Sequence, residues 1–208
     1  MWDAAPEHCA LRFWTSARPR RWWVWSRRAL FHHGSATELP LEAAWVDATV
    51  SGLVLNFVPD QPRALAEMAR VTVPGGTIAA YVWDYAGKME MLRAFWDAVV
   101  ELNPDAANLD EGERFPLCRP EALTDLFTRS GLRDVTVTTI DIPTHFTTFD
   151  DYWRPFVGGQ GPAPAYAMAL DDAARARLRD RIWERVRHQA DGSISLTARA
   201  WAVRAFHD

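Results

Sequence analysis

The amino-acid sequence predicts an α/β fold organised around a parallel βαβ unit. Three observations predict it. Two short, continuous apolar runs, residues 52–58 and 77–83, have the composition of strands buried on both faces of a parallel sheet. Between them, residues 61–70 carry Leu65, Met68 and Ala69 along one side at helical spacing. Further along, helical periods alternate with a Val/Ile–Thr run at residues 135–142 and a final apolar stretch at 195–206.

Each element has its own reason. Leu30-Phe31-His32-His33 reads as a short strand, and residues 34–41 as a loop with a helical turn. The run 52–58 ends at Pro59-Asp60. Pro62 suits the first turn of the helix that follows, because its missing N–H has no partner to lose there. Pro74-Gly75-Gly76 predicts a sharp break before the strand at 77–83. Residues 89–102 form a helix with Met89, Leu92, Phe95, Trp96 and Val99 on one side, followed by a loop over 103–118. A helix over 120–130 turns Leu123, Leu126 and Phe127 inward, and Gly131 caps it. The alternation over 135–142 suits a strand near the sheet edge. A short helix over 149–156, a hinge at 158–162, a charged helix over 171–189 carrying Leu178, Ile182 and Val186, and a last strand over 195–206 complete the chain.

Composition narrows the function classes. With 208 residues, the chain is long enough for one domain with a substantial core. A net charge of -4 argues against nucleic acid as the partner of the whole chain. No apolar run reaches the length of a membrane span, so no membrane partner is expected. The two cysteines, Cys9 and Cys118, have no metal-ligand spacing and point to a reducing, cytoplasmic compartment. His32 and His33 are adjacent on a strand, point to opposite faces and cannot chelate jointly, so no metal site is expected.

Residues 1–29 differ in character from 30–208, and the boundary is placed there. Lys88 is the only lysine of the chain, and five of the eleven tryptophans (Trp2, Trp14, Trp22, Trp23, Trp25) lie in the first 25 residues. Neither a helical nor a strand period sorts this stretch. It lacks the apolar region of a signal peptide. A basic aromatic arm, an unpatterned extension, and a frameshift or misplaced start in GC-rich DNA are the readings it allows.

Three motifs carry a family resemblance. Gly34-Ser35-Ala36-Thr37-Glu38-Leu39-Pro40-Leu41 is followed by Asp47-Ala48-Thr49-Val50-Ser51-Gly52-Leu53 and then by Arg70-Val71-Thr72-Val73-Pro74-Gly75-Gly76. Together they resemble the later two-thirds of a class I S-adenosylmethionine-dependent methyltransferase of the small-molecule type. The resemblance begins near Phe31 and rests chiefly on residues 47–77. It implies a Rossmann-like sheet, N-terminally incomplete, with the third to seventh strands present. It implies S-adenosyl-L-methionine as cofactor and a small-molecule methyl acceptor as partner. Ser35 and Ala36 would meet the adenine, with Ser35 where the family has an acidic residue. Ser51, Gly52 and Leu53 would lie under the methionine part, at the carboxyl end of a strand. The family's Gly-x-Gly-x-Gly loop has no counterpart before Gly34, the first glycine of the sequence.

The strand at 77–83 ends on the side where such folds bind ligands. Trp83 and Tyr85 are therefore candidate substrate contacts, together with Trp153. Asp84 is a candidate base or cation partner, or a helix cap beside packing aromatics. His145, near the end of the penultimate strand, is a candidate proton acceptor or a surface histidine. Two functions follow. One is a small-molecule methyltransferase with impaired activity, because the cofactor loop is missing. The other is a non-catalytic, degenerate domain that binds a partner or forms a homodimer through an unpaired sheet edge. A nicotinamide dehydrogenase is a weaker third, opposed by the Pro-Gly-Gly turn.

Overall fold

A computed structural model describes residues 11–16 and 29–208, and side chains from His32 onward. Most of the segment 1–29, with the readings attached to it, lies outside the described residues. The chain divides into two compact units. The first takes in residues up to Val82 together with 121–138 and 202–208; the second takes in 83–120 and 139–201.

In the first unit, β1 (Leu11–Ser16) and β2 (Ala29–Gly34) pair antiparallel, from Leu11 opposite Gly34 to Ser16 opposite Ala29. β2 is the strand expected at 30–33. β3 (Val46–Gly52) runs parallel to β4 (Thr72–Trp83), and α1 (Gln61–Val71) connects them. This is the predicted βαβ unit. Asp60 begins α1, its carboxylate accepting the Arg63 N–H at 3.0 Å. Ala64, Leu65, Met68 and Val71 form the buried side of the helix.

The strand expected at 52–58 is displaced. The chain leaves the sheet at Gly52, because Leu53 adopts a left-handed φ of 56° after a last rung to Tyr81 O at 2.8 Å. Leu55–Phe57 is a single 3-10 turn. Within the apolar run Leu55 and Val58 are buried, while Phe57 is 48% exposed. The strand proper is Val46–Gly52, where Asp, Thr and Ser interrupt the apolar residues.

Pro74-Gly75-Gly76 is also not a break between helix and strand. It lies inside β4, where the register jumps from Val46 opposite Thr72 to Ala48 opposite Thr77. The extra residues bulge out of the ladder. Gly75 takes φ 75°, and a Cβ on Gly76 would stand 2.8 Å from the carbonyl oxygens of Asp47 and Val73. The bulge still pairs with the end of the chain: Gly75 N–H donates to His207 O, and His207 N–H donates to Gly76 O.

The sheet order is β3-β4-β6-β5, with β5 (Arg133–Phe146) and β6 (Ile194–Phe206). β5 occupies the edge expected of it. Before it, α4 (Pro120–Arg129) buries Leu123 and Phe127, and Gly131 follows at φ 77°. Among the described residues β3 forms the other edge, and its Val50 is 65% exposed.

The second unit is mostly helical. It holds α2 (Glu90–Leu102), α3 (Glu111–Arg114), α5 (Phe149–Gly158), α6 (Pro162–Ala169) and α7 (Asp172–Arg185). Phe95, Trp96, Tyr152, Phe156, Leu178 and Ile182 form its core, with Phe95 stacked on Phe156 at 4.5 Å. The expected loop over 103–118 contains a 3-10 turn (Pro104–Leu109) and α3. α6 follows the expected hinge without a sequence signal, because Pro-Ala-Pro-Ala-Tyr-Ala-Met-Ala has no apolar and polar sides to separate. α7 stops at Arg185, short of the expected Gln189, but Leu178, Ile182 and Val186 are buried as predicted.

Candidate functional site

The cofactor candidates all lie in the first unit. Ser35 and Ala36 sit in a tight turn directly after β2. Ser35 Oγ accepts the Thr37 N–H at 3.2 Å and stands 2.7 Å from Thr37 Oγ1, so the hydroxyl folds the turn as well as facing solvent. Beyond it, Leu39 is buried, and its N–H donates to the Glu67 carboxylate at 2.8 Å. Arg70 Nε and Nη2 pair with Glu67, each at 2.8 Å, and Arg70 also donates to the Leu39 and Leu41 carbonyls. The guanidinium of Arg70 and the Leu39 N–H hold the Glu67 carboxyl below its ordinary value, against the effect of burial.

Ser51, Gly52 and Leu53 form the carboxyl end of β3. Gly52 pairs with Tyr81 of β4, and the tyrosine ring lies across it. A Cβ on Gly52 would stand 2.7 Å from Tyr81 Cζ, and nearer still to the hydroxyl. The glycine is what lets the phenol reach the strand end. Asn56, one turn further on, is buried with its Nδ2 lacking a hydrogen-bond partner. Sequence reasoning singled out neither Tyr81 nor Asn56. Tyr81 is hidden inside an apolar strand, and the Asn56 amide within an apolar run was the only available signal.

The acceptor-side candidates lie in the second unit. Trp83 ends β4 and is half-buried. Asp84 is buried, and its carboxylate turns back over its own loop: Oδ2 accepts the Lys88 N–H at 2.9 Å, while a Cβ on Gly87 would meet Oδ2 at 2.6 Å. Asp84 thus folds the 84–88 turn, and Met89 occupies the N-cap of α2. Tyr85 is buried against Phe115, with ring centroids 5.6 Å apart, and burial raises its phenol above the ordinary range. Trp153 is buried on α5 against Phe156. His145 is exposed on β5, with Nδ1 3.3 Å from Ser195 Oγ.

A second buried group surrounds Tyr85. Glu111 is buried and accepts a hydrogen bond from Trp96 Nε1; burial pushes its carboxyl up despite that bond. Burial, with Asp84 as a lesser cause, pushes the Cys118 thiol up to about 12, which makes it a poor nucleophile. Arg93 pairs with Asp110 at 2.6 Å. Glu111 was missed because one glutamate in a loop reading carries no sign of burial. A shallow cleft of about 410 Å³, lined by Thr148, Phe149, Asp150, Arg179, Asp180 and Trp183, includes none of the candidates. Among the described residues no group of three His, Cys, Asp or Glu side chains is placed to hold a metal ion, and no helix is long and apolar enough to cross a membrane.

A parallel βαβ unit within a four-stranded sheet of order β3-β4-β6-β5 defines a Rossmann-like α/β protein with candidate ligand residues at strand carboxyl ends. Part of the chain is similar to methyltransferases. Residues 12–80 match the methyltransferase domain family, so the match opens upstream of Phe31. Malonyl-[acyl-carrier protein] O-methyltransferase of Serratia marcescens is 39% identical over 75 residues, 35% of this chain and 29% of that protein. Demethylmenaquinone methyltransferase of Halalkalibacterium halodurans is 48% identical over 46 residues, 22% of this chain and 19% of that protein. The matched stretch thus spans under a third of either curated relative. A crystal structure from Anabaena variabilis, described as a methyltransferase from an antibiotic biosynthesis pathway, shares the fold. Its TM-score is 0.53 at 15% identity, over 86% of this chain and 74% of that one.

Proposed function

We propose that the chain serves S-adenosylmethionine-dependent methyl transfer to a small-molecule acceptor. The observation that carries the reading is the β3-α1-β4 unit. Its first strand ends in Ser51-Gly52-Leu53 beside Tyr81, at the edge where such folds take their ligands. Ser35 and Ala36 would meet the adenine, and Ser51, Gly52 and Leu53 the methionine part. Trp83, Tyr85 and Trp153 are the acceptor candidates, with Asp84 and His145 the candidate proton acceptors. Bound cofactor supplies an activated methyl group on a sulfonium. What remains for the protein is to hold donor and acceptor in line, and positioning of that kind supplies most of the rate. The relatives' names, one for a malonyl group on acyl carrier protein and one for demethylmenaquinone, support a small acceptor.

Titration with S-adenosylmethionine, followed by backbone amide shifts, tests the reading. Shifts at Ala36 and at residues 51–53 are expected, and shifts confined elsewhere refute the site.

A second reading, a non-catalytic homodimer through the β3 edge, is favoured by the exposure of Val50 (65%) and the neighbouring Trp45 (53%). Sedimentation of a monomer at all concentrations would remove it.

A further inference from the structure

We propose that Glu67 is the positioning residue of the 35–41 loop and sets cofactor affinity through it, without touching cofactor or acceptor. The proposal rests on the reading of that loop as the adenine contact. Glu67 is only 5% exposed, although it sits on a helix whose other charged residues reach solvent. Its Oε2 accepts the Leu39 N–H and Arg70 Nη2, and its Oε1 accepts Arg70 Nε, all at 2.8 Å. Arg63 Nη2 approaches Oε1 at 4.0 Å. The two arginines then return to the loop: Arg70 donates to Leu39 O at 3.0 Å and to Leu41 O at 2.9 Å, and Arg63 Nε donates to Thr37 O at 3.2 Å.

The loop backbone from Thr37 to Leu41 is therefore held by three side chains of one helix. Arg63, Glu67 and Arg70 are spaced i, i+4, i+7, so a single helix face presents them. Surface loops ordinarily give such groups to water. Here a buried carboxylate orients both arginines, and the turn carrying Ser35 and Ala36 is the part of the loop left open. The same helix follows the strand end at Ser51–Leu53, so α1 ties both proposed cofactor contacts to one rigid element. A carboxylate whose only work was packing α1 would leave the loop indifferent to its charge.

Glu67→Gln keeps the shape and one acceptor for Leu39 but turns an amide N–H₂ or a neutral oxygen toward Arg70. The full chain and this variant are compared by amide hydrogen exchange without ligand. Both are then titrated with S-adenosylhomocysteine and with adenosine, followed by amide shifts. Exchange at Leu39 and Leu41 rises about tenfold while Leu65 and Ile78 are unchanged, and both ligands weaken together by about three- to tenfold. Both respond because they share the adenine. Should Glu67→Gln not fold, Arg70→Lys serves: it keeps a cation for Glu67 but cannot span both the Leu39 and Leu41 carbonyls, so the same changes are expected. Unchanged exchange at Leu39, or faster exchange with unchanged affinities, overturns the proposal. If neither ligand shifts residues 35–36 in the unaltered chain, the adenine reading of the loop fails first, and the positioning role falls with it.

Discussion

Gly52→Ala tests whether the end of β3 is built around Tyr81. The added methyl would stand 2.7 Å from Tyr81 Cζ and 3.1 Å from Cε1. The backbone cannot give way easily. Gly52 pairs with Tyr81 and Ser51 with Ala80, and Leu53 N–H closes the ladder on Tyr81 O at 2.8 Å. The ring must move instead, off its rotamer or out of the sheet face. Overpacking of this kind costs about 1–3 kcal/mol, or about 2–12 °C in Tm for a chain of this length. The assay is a double-mutant cycle by urea or thermal unfolding. With Tyr81→Ala in place, the methyl meets open space, and Gly52→Ala becomes neutral or gains up to about 1 kcal/mol by restricting the unfolded chain. The expected coupling is therefore about 1–4 kcal/mol, the range between those two outcomes. An equal cost of Gly52→Ala in both backgrounds would refute the steric argument, and with it the placement of the phenol over the strand end.

Three further outcomes are expected. Glu111 has a folded value raised by burial, so the folded state holds its proton more tightly than the unfolded state; stability falls as pH rises from the ordinary carboxylate value of 4.5 through the folded one. Glu111→Gln keeps an acceptor for Trp96 Nε1 and should flatten that fall in pH-dependent melting, leaving the protein at least as stable at pH 7; a loss there sinks the assignment. Glu67 has the opposite sign: its lowered value contributes stability above pH 4.5 that is lost as pH falls through the folded value, and Glu67→Gln should remove this acid sensitivity from the same melts. Phe95→Ala empties a fully buried site stacked on Phe156 at 4.5 Å and should cost about 3–5 kcal/mol by urea unfolding.

The sequence made periodic features legible and hid contacts made at a distance. The buried sides of α1, α2, α4 and α7 follow from apolar spacing, and Leu65, Phe95, Phe127 and Ile182 are all fully buried. The β3 strand was misplaced because apolarity alone cannot tell a buried strand from a buried turn. Residues 52–58 are more apolar than Val46–Gly52, yet the positive φ at Leu53 ends the strand. Pro-Gly-Gly predicted a break but forms a bulge inside β4, because His207, just past β6, is there to pair with Gly75 and Gly76. The site was legible where a motif carried it, at Ser35 and at Ser51–Leu53. Glu67 was not, because its partner Leu39 lies 28 residues away, and only the fold brings the two together.

The N-terminal boundary shows the same limit from the other side. The stretch before Leu30 has no period, and the motifs that carry the resemblance begin only near Phe31. Yet the family match opens at residue 12, and β1 (Leu11–Ser16) pairs residue for residue with β2. Six residues are too few to display a period of two convincingly when arginine and tryptophan surround them. What fixes β1 is its partner strand, and the pairing places Leu11 opposite Gly34, where the 34–41 loop begins. That loop is therefore flanked by backbone pairing on one side and by the Glu67–Arg70 pair on the other. Replacing Thr15 by proline would remove the N–H of a residue paired with Leu30. If β1 supports the loop, amide exchange in β2 should quicken and the exchange protection of Leu39 should fall with it. If Leu39 keeps its protection, Glu67 alone holds the loop.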